Sequence, residues 1–67
     1  MPQIQLNGQS RTIAPATTLA ALLQELGLSE RRIAVEHNTQ IVPRSRHADT
    51  QLNDGDRVEI VHAIGGG

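Results

Sequence analysis

The group best placed to do chemistry in this sequence is the carboxylate of Gly67, carried on Gly65 and Gly66 directly after the apolar alternating run from Val58 to Ile64. Glycine has no Cβ, so three in a row make a strip little wider than the backbone, able to enter a narrow channel and present a bare carboxylate to another protein's active site. Extended, the three residues reach about 10 Å. Glycine-rich ends are also what frayed termini look like. Here the glycines follow a predicted strand with no spacer, and such a strand fixes the point from which they project. Gly65 and Gly66 are therefore read as the inserting segment and the Gly67 carboxylate as the group that is modified. A free carboxylate is a poor electrophile and must be activated before a nucleophile can attack its carbonyl carbon.

The other candidate groups resolve into ordinary structure. Asp54 and Asp56 flank Gly55 at a predicted turn, where aspartate and glycine supply turn chemistry rather than a metal site. His37, His47 and His62 fall on different elements without ligand spacing, so no metal centre is expected. Ser10, Ser29 and Ser45 have no base or orienting group arranged for nucleophilic catalysis. No glycine-rich stretch leads into a helix, as a phosphate cradle requires. By elimination the chain is expected to carry no enzyme site of its own.

The elements that must position the tail follow from periodicity. Ile4 and Leu6 alternate with polar residues, Asn7-Gly8 provides positive-φ turn chemistry, and Arg11-Thr12-Ile13 returns as the second strand of a hairpin. Thr17 or Thr18 caps a helix whose Leu19, Leu22, Leu23 and Leu26 recur at i, i+3, i+4 and i+7, with Gly27 as its left-handed stop. Ile33 to His37 is a strand, Asn38-Thr39 a turn, and Gln40-Ile41-Val42 a short strand halted by Pro43. From Pro43 to Thr50 the chain is polar and irregular, with one helical turn. Leu52 restarts the pattern, Asp54-Gly55 turns the chain, and Arg57 to His62 alternates. The order describes an α+β domain over residues 1–64, a mixed sheet of four to five strands with one helix across one face, followed by a flexible tail at 65–67. With Val58 and Ile60 toward the helix, Val61 points away. Val61 and Ile64, nearest the tail, are read as docking contacts on the outer sheet face, with Arg44 and Arg57 as polar contacts.

Composition narrows the class further. At 67 residues the chain is a single small domain, with little room for an enclosed active site. It has no cysteine, which removes thiol and disulfide chemistry and fits a reducing compartment. No apolar run is long enough to be a signal peptide core or a membrane span, so a cytoplasmic location is expected. The formal net charge is −1, the six basic residues are all arginine and scattered, and there is no Phe, Tyr or Trp. Nucleic-acid binding is thereby disfavoured. Without lysine, the chain offers no side-chain amine to accept an isopeptide bond from a copy of itself.

The run Ala34-Val35-Glu36-His37-Asn38-Thr39-Gln40-Ile41-Val42-Pro43-Arg44, then Leu52-Asn53-Asp54-Gly55-Asp56-Arg57-Val58-Glu59-Ile60-Val61, then Gly66-Gly67, closely resembles the sulfur carrier proteins of thiamin biosynthesis, in the ubiquitin-like β-grasp group. The resemblance covers essentially the whole chain. It implies that an E1-like adenylyltransferase, using ATP and Mg, adenylates Gly67, and that a cysteine desulfurase system supplies the sulfur that makes a C-terminal thiocarboxylate. Thiazole synthase would take the sulfur, and the carrier itself would hold no cofactor. The sequence departs from the family's pattern at His47, where an aromatic such as Trp is common, and in its third glycine, Gly65. A small subunit of molybdopterin synthase and a ubiquitin-like protein modifier share the tail chemistry and are the alternatives.

Overall fold

The computed structural model describes residues 1–62; Ile64 and the expected tail Gly65–Gly67 lie outside them. Five strands, β1 (Gln3–Leu6), β2 (Gln9–Thr12), β3 (Ile33–His37), β4 (Gln40–Val42) and β5 (Arg57–His62), form one mixed sheet in the order β2-β1-β5-β3-β4. β5 runs parallel to β1 and antiparallel to β3, so the strand that leads toward the glycines occupies the centre. The helix α1 (Leu19–Glu25) covers one face, as the leucine spacing requires.

Each end of α1 has a local cause. Thr18, extended at φ −94°, accepts the Ala21 N–H on its hydroxyl at 3.1 Å and so satisfies one of the amides that a helix start leaves unpaired. Thr17 is not the cap; its hydroxyl donates to the Ala14 carbonyl at 2.7 Å and fixes the bend before the helix. At the other end Gly27 takes φ +74°, Leu28 N donates to the Leu23 carbonyl at 2.8 Å and Gly27 N to that of Gln24 at 3.1 Å. That pair is a Schellman stop, and it needs a residue with no Cβ penalty at the left-handed position.

The core is the layer between α1 and the sheet. Leu19, Leu22 and Leu23 pack with Ile4, Ile13, Val35, Leu52, Val58 and Ile60, while Leu6, Leu26, Leu28, Ile33 and Val42 close its margin. Leu52 reaches this core without belonging to a strand. Leu52 N donates to the Thr17 carbonyl and Leu19 N to that of Thr50, both at 2.8 Å, so this segment is tied to the helix start instead.

The segment expected to hold one helical turn is a longer 3-10 helix, Arg44–Asp49. His47 explains it: the side chain is only 7% exposed and its Nε2 donates to the Val42 carbonyl at 3.0 Å, pinning the 3-10 helix against the end of β4. A polar residue is here a core residue, which polarity alone conceals.

Both hairpins turn through two residues of positive φ, Asn7-Gly8 (49°, 82°) and Asn38-Thr39 (51°, 72°). Glycine takes that conformation freely, whereas Thr39 is β-branched and strained in it. Thr39→Gly is expected to stabilise the domain by about 1 kcal/mol, less than the full left-handed penalty because glycine also gains freedom when unfolded. Urea denaturation midpoints at constant slope check this.

Candidate functional site

Direct pairing across the sheet assigns each side chain to a face. Ala34 lies opposite Val61, Glu36 opposite Glu59 and Ile41, and Gln5 opposite Arg57, and none of these belongs to the helix-side core. They make the outer face. Val61 is 58% exposed and Ile41 73%, and Ala34 pairs directly with Val61. A short apolar strip thus crosses β5 and β3 close to where the chain continues toward its glycines, and Ile41 on β4 stands in the next outer-face row, with Glu36 and Glu59.

Its polar border is uneven. Arg57 and Glu59 share the outer face of β5, and with Gln5 and Gly8 they line an open groove of about 320 Å³. Glu36 and Glu59 stand directly opposite each other, an arrangement that costs a few tenths of a kcal/mol in a cross-strand pair. Of the four residues read as docking contacts, Val61 and Arg57 are brought onto this one face. Ile64 lies outside the described residues. Arg44 is placed on the helix side: its guanidinium donates to the Ser29 carbonyl at 3.2 Å and the Arg31 carbonyl at 2.7 Å, tying the 3-10 helix to the loop after α1. Together with Ala20, Leu23, Ser29, His47 and Ala48, Arg44 lines a cavity of about 140 Å³ there.

A polar cluster that periodicity does not reveal holds the start of β5. Asp56 Oδ2 lies 2.7 Å from His37 Nε2 and accepts the Asn53 N–H at 2.9 Å, while Oδ1 accepts from Asn38 Nδ2 at 3.2 Å. Asn38 Oδ1 in turn accepts the Arg57 N–H at 2.8 Å. Burial works to raise the Asp56 pKa, but the hydrogen bonds from His37, Asn53 and Asn38 and the His37 charge together hold it below its ordinary value. The sequence carries part of this signal: it places Asp56 in a turn, and only the β3–β5 register brings His37 to it.

Asp54 is likewise structural, its Oδ1 accepting the Gln3 N–H at 2.8 Å. The three histidines are dispersed over β3, the 3-10 helix and β5, and no group of three or more metal-ligating side chains forms among the described residues. Among the described residues no helix is long and apolar enough to cross a membrane. What the described residues provide is a central strand that ends at His62 and an outer face with a short apolar strip around Val61.

Comparison with known proteins meets this geometry from three sides. The model of the ThiS family matches residues 4–67, a span that includes both the sheet and the terminal glycines. A thiazole synthase of Paramagnetospirillum magneticum is 48% identical over 65 residues, covering 97% of this chain, and the chain spans only 20% of that relative's length. The sulfur carrier protein ThiS of Bacillus subtilis is 37% identical, with 96% of this chain and 98% of that one covered. In structure, the thiamine biosynthesis protein (ThiS) of Geobacter metallireducens superposes with a TM-score of 0.84 at 29% identity over 97% of this chain and 99% of the other. The mixed five-stranded sheet with its single helix is thus a β-grasp fold of the ubiquitin-like kind, and with a family model matched across nearly its whole length the chain belongs to the ThiS family.

Proposed function

We propose that this chain is a sulfur carrier in the synthesis of the thiazole part of thiamin, a protein co-substrate on which partner enzymes act. An E1-like adenylyltransferase uses ATP and Mg to join AMP to the Gly67 carboxylate, releasing pyrophosphate. A persulfide from a cysteine desulfurase system then displaces AMP to form an acyl disulfide, and a thiol reduces the S–S bond, becoming a disulfide itself and leaving a thiocarboxylate. Its sulfur is anionic at neutral pH and hence nucleophilic, and thiazole synthase receives it. The observation that carries the reading is the family match running through the glycines, with a relative of nearly the same length that bears the sulfur carrier name.

Every catalytic group for activation belongs to the partners under this reading. The carrier contributes reach, thinness and aim. Ordering three glycines costs about 3 to 6 kcal/mol, which docking of the folded body must offset. The outer strip around Val61 supports that role, being apolar, exposed and on the strand that leads to the tail.

Intact mass spectrometry after incubation with the adenylyltransferase, ATP, Mg, desulfurase, cysteine and a thiol reductant tests the proposal. The expected product is the free protein with one oxygen replaced by one sulfur; attachment to lysines of other proteins would instead mark a modifier. Val61→Asp is expected to weaken binding to the adenylyltransferase at least about tenfold, since docking would then bury a charge. Titration calorimetry measures this, with an unchanged melting temperature showing that the fold is intact.

A further inference from the structure

β5 lies in the middle of the sheet, yet its last residues have a strand on one side only. Asn38 N donates to the Arg57 carbonyl at 2.8 Å, so in the antiparallel β3–β5 register Arg57, Glu59 and Val61 direct their backbone groups at β3. Val58, Ile60 and His62 therefore direct theirs toward β1. On that side Asn7 N donates to the Val58 carbonyl at 2.9 Å, and Ile60 N donates to Asn7 Oδ1 at 2.7 Å. The β1–β5 register ends at Leu6 opposite Val58, because Asn7 and Gly8 turn the chain away into β2.

The Asn7 side chain thus stands in for the next residue of a strand that has already left. Beyond it, the Ile60 carbonyl and the His62 N–H face the same side with no strand of the described residues beside them. Unpaired strand edges are templates for further strands. The groove lined by Gln5, Gly8, Arg57 and Glu59 opens beside this edge on the outer face.

The geometry points to the Ile60–His62 edge as a strand acceptor, filled by an extended segment of the thiazole synthase that takes sulfur from the tail. This rests on the sulfur-carrier reading above. His62 stands five positions before Gly67, so an enzyme that encloses the carboxylate must bring chain close to this edge. In the Paramagnetospirillum relative, a region like this chain is one fifth of a thiazole synthase, which keeps the two surfaces in one molecule. A single residue of the incoming segment, aligned as β1 is, satisfies both free groups: its N–H donates to the Ile60 carbonyl and its carbonyl accepts the His62 N–H. The groove, with an amide, a guanidinium and a carboxylate, suits the polar outward side chains of such a segment.

His62→Pro and His62→Ala separate backbone from side chain. Both remove the imidazole, but only proline removes the N–H, and that N–H points away from β3, so the β3–β5 ladder is spared. With the cognate thiazole synthase, His62→Ala is expected to bind within about twofold of the unaltered chain and His62→Pro at least about tenfold more weakly. In the unaltered chain, exchange of the His62 amide with solvent deuterium should slow at least about tenfold on complex formation, a readout that holds even if the proline variant misfolds. Equal affinity of the two variants, or an unprotected His62 amide in a complex that still delivers sulfur, overturns the edge assignment alone. Absence of any binding to thiazole synthase removes it together with the carrier reading. Self-association of the unaltered chain that His62→Pro abolishes would give the edge to a second copy instead.

Discussion

A chain lacking only Gly67 is expected to be adenylated at least about a hundredfold more slowly than the unaltered chain, although it still ends in Gly-Gly. Removing one residue draws the carboxylate back by about 3.5 Å, as far as the whole separation between atoms about to react. If the body docks through the outer strip and β5 sets the direction of the tail, nothing else can restore that distance without loosening the dock. The deficit should therefore appear in turnover far more than in binding. ATP–pyrophosphate exchange with the adenylyltransferase reports it directly, and binding of the truncated chain within a few-fold of normal would show that the docking face is untouched. Normal exchange by this truncation would mean that glycine identity matters and register does not.

Asp56→Ala is expected to destabilise the domain by about 1 to 2 kcal/mol, since donors from His37, Asn38 and Asn53 lose the carboxylate on which they converge; the His37 bond is partly buried, and the other two are open to water. For a domain of this size that is a substantial share of the available stability. The effect also has a pH signature. The folded pKa of Asp56 lies below its ordinary value of about 3.9, so below that value the unfolded chain takes up the proton first. The contribution is fully present above pH of about 4 and is lost as pH falls through the depressed folded value. Denaturant titrations from pH 7 down to 3 should show the unaltered chain losing stability toward the acid end more steeply than the variant, and the gap between the two closing. A constant gap would mean that the cluster acts through packing rather than through the charge on Asp56.

The sheet and helix were legible because local rules and burial agree. Leu19, Leu22 and Leu23 at helical spacing, alternation through β5, and Asn7-Gly8 between two strands each point to the element that forms. What stayed hidden depends on pairing partners far along the chain. His37 and Asp56 are 19 positions apart and meet only because β3 lies antiparallel to β5, and Asn7 caps Ile60 across 53 positions. The structural parts played by His47 and Arg44 stay hidden for a related reason. A histidine becomes a core residue once a carbonyl takes its N–H, and a surface arginine becomes a brace once two carbonyls converge on it. Val61 and Arg57 could be placed on one face from alternation alone; Arg44, in an irregular segment, could not.

The central position of β5 also governs how the molecule answers tension. A pull on its far end, as when an enzyme draws the glycines inward, loads the parallel ladder to β1 along the strand axis, so its hydrogen bonds must shear together rather than open one by one. The antiparallel ladder to β3 shares the load on the other flank. Under the proposed carrier role, force applied at the glycines would thus enter the fold through two ladders at once.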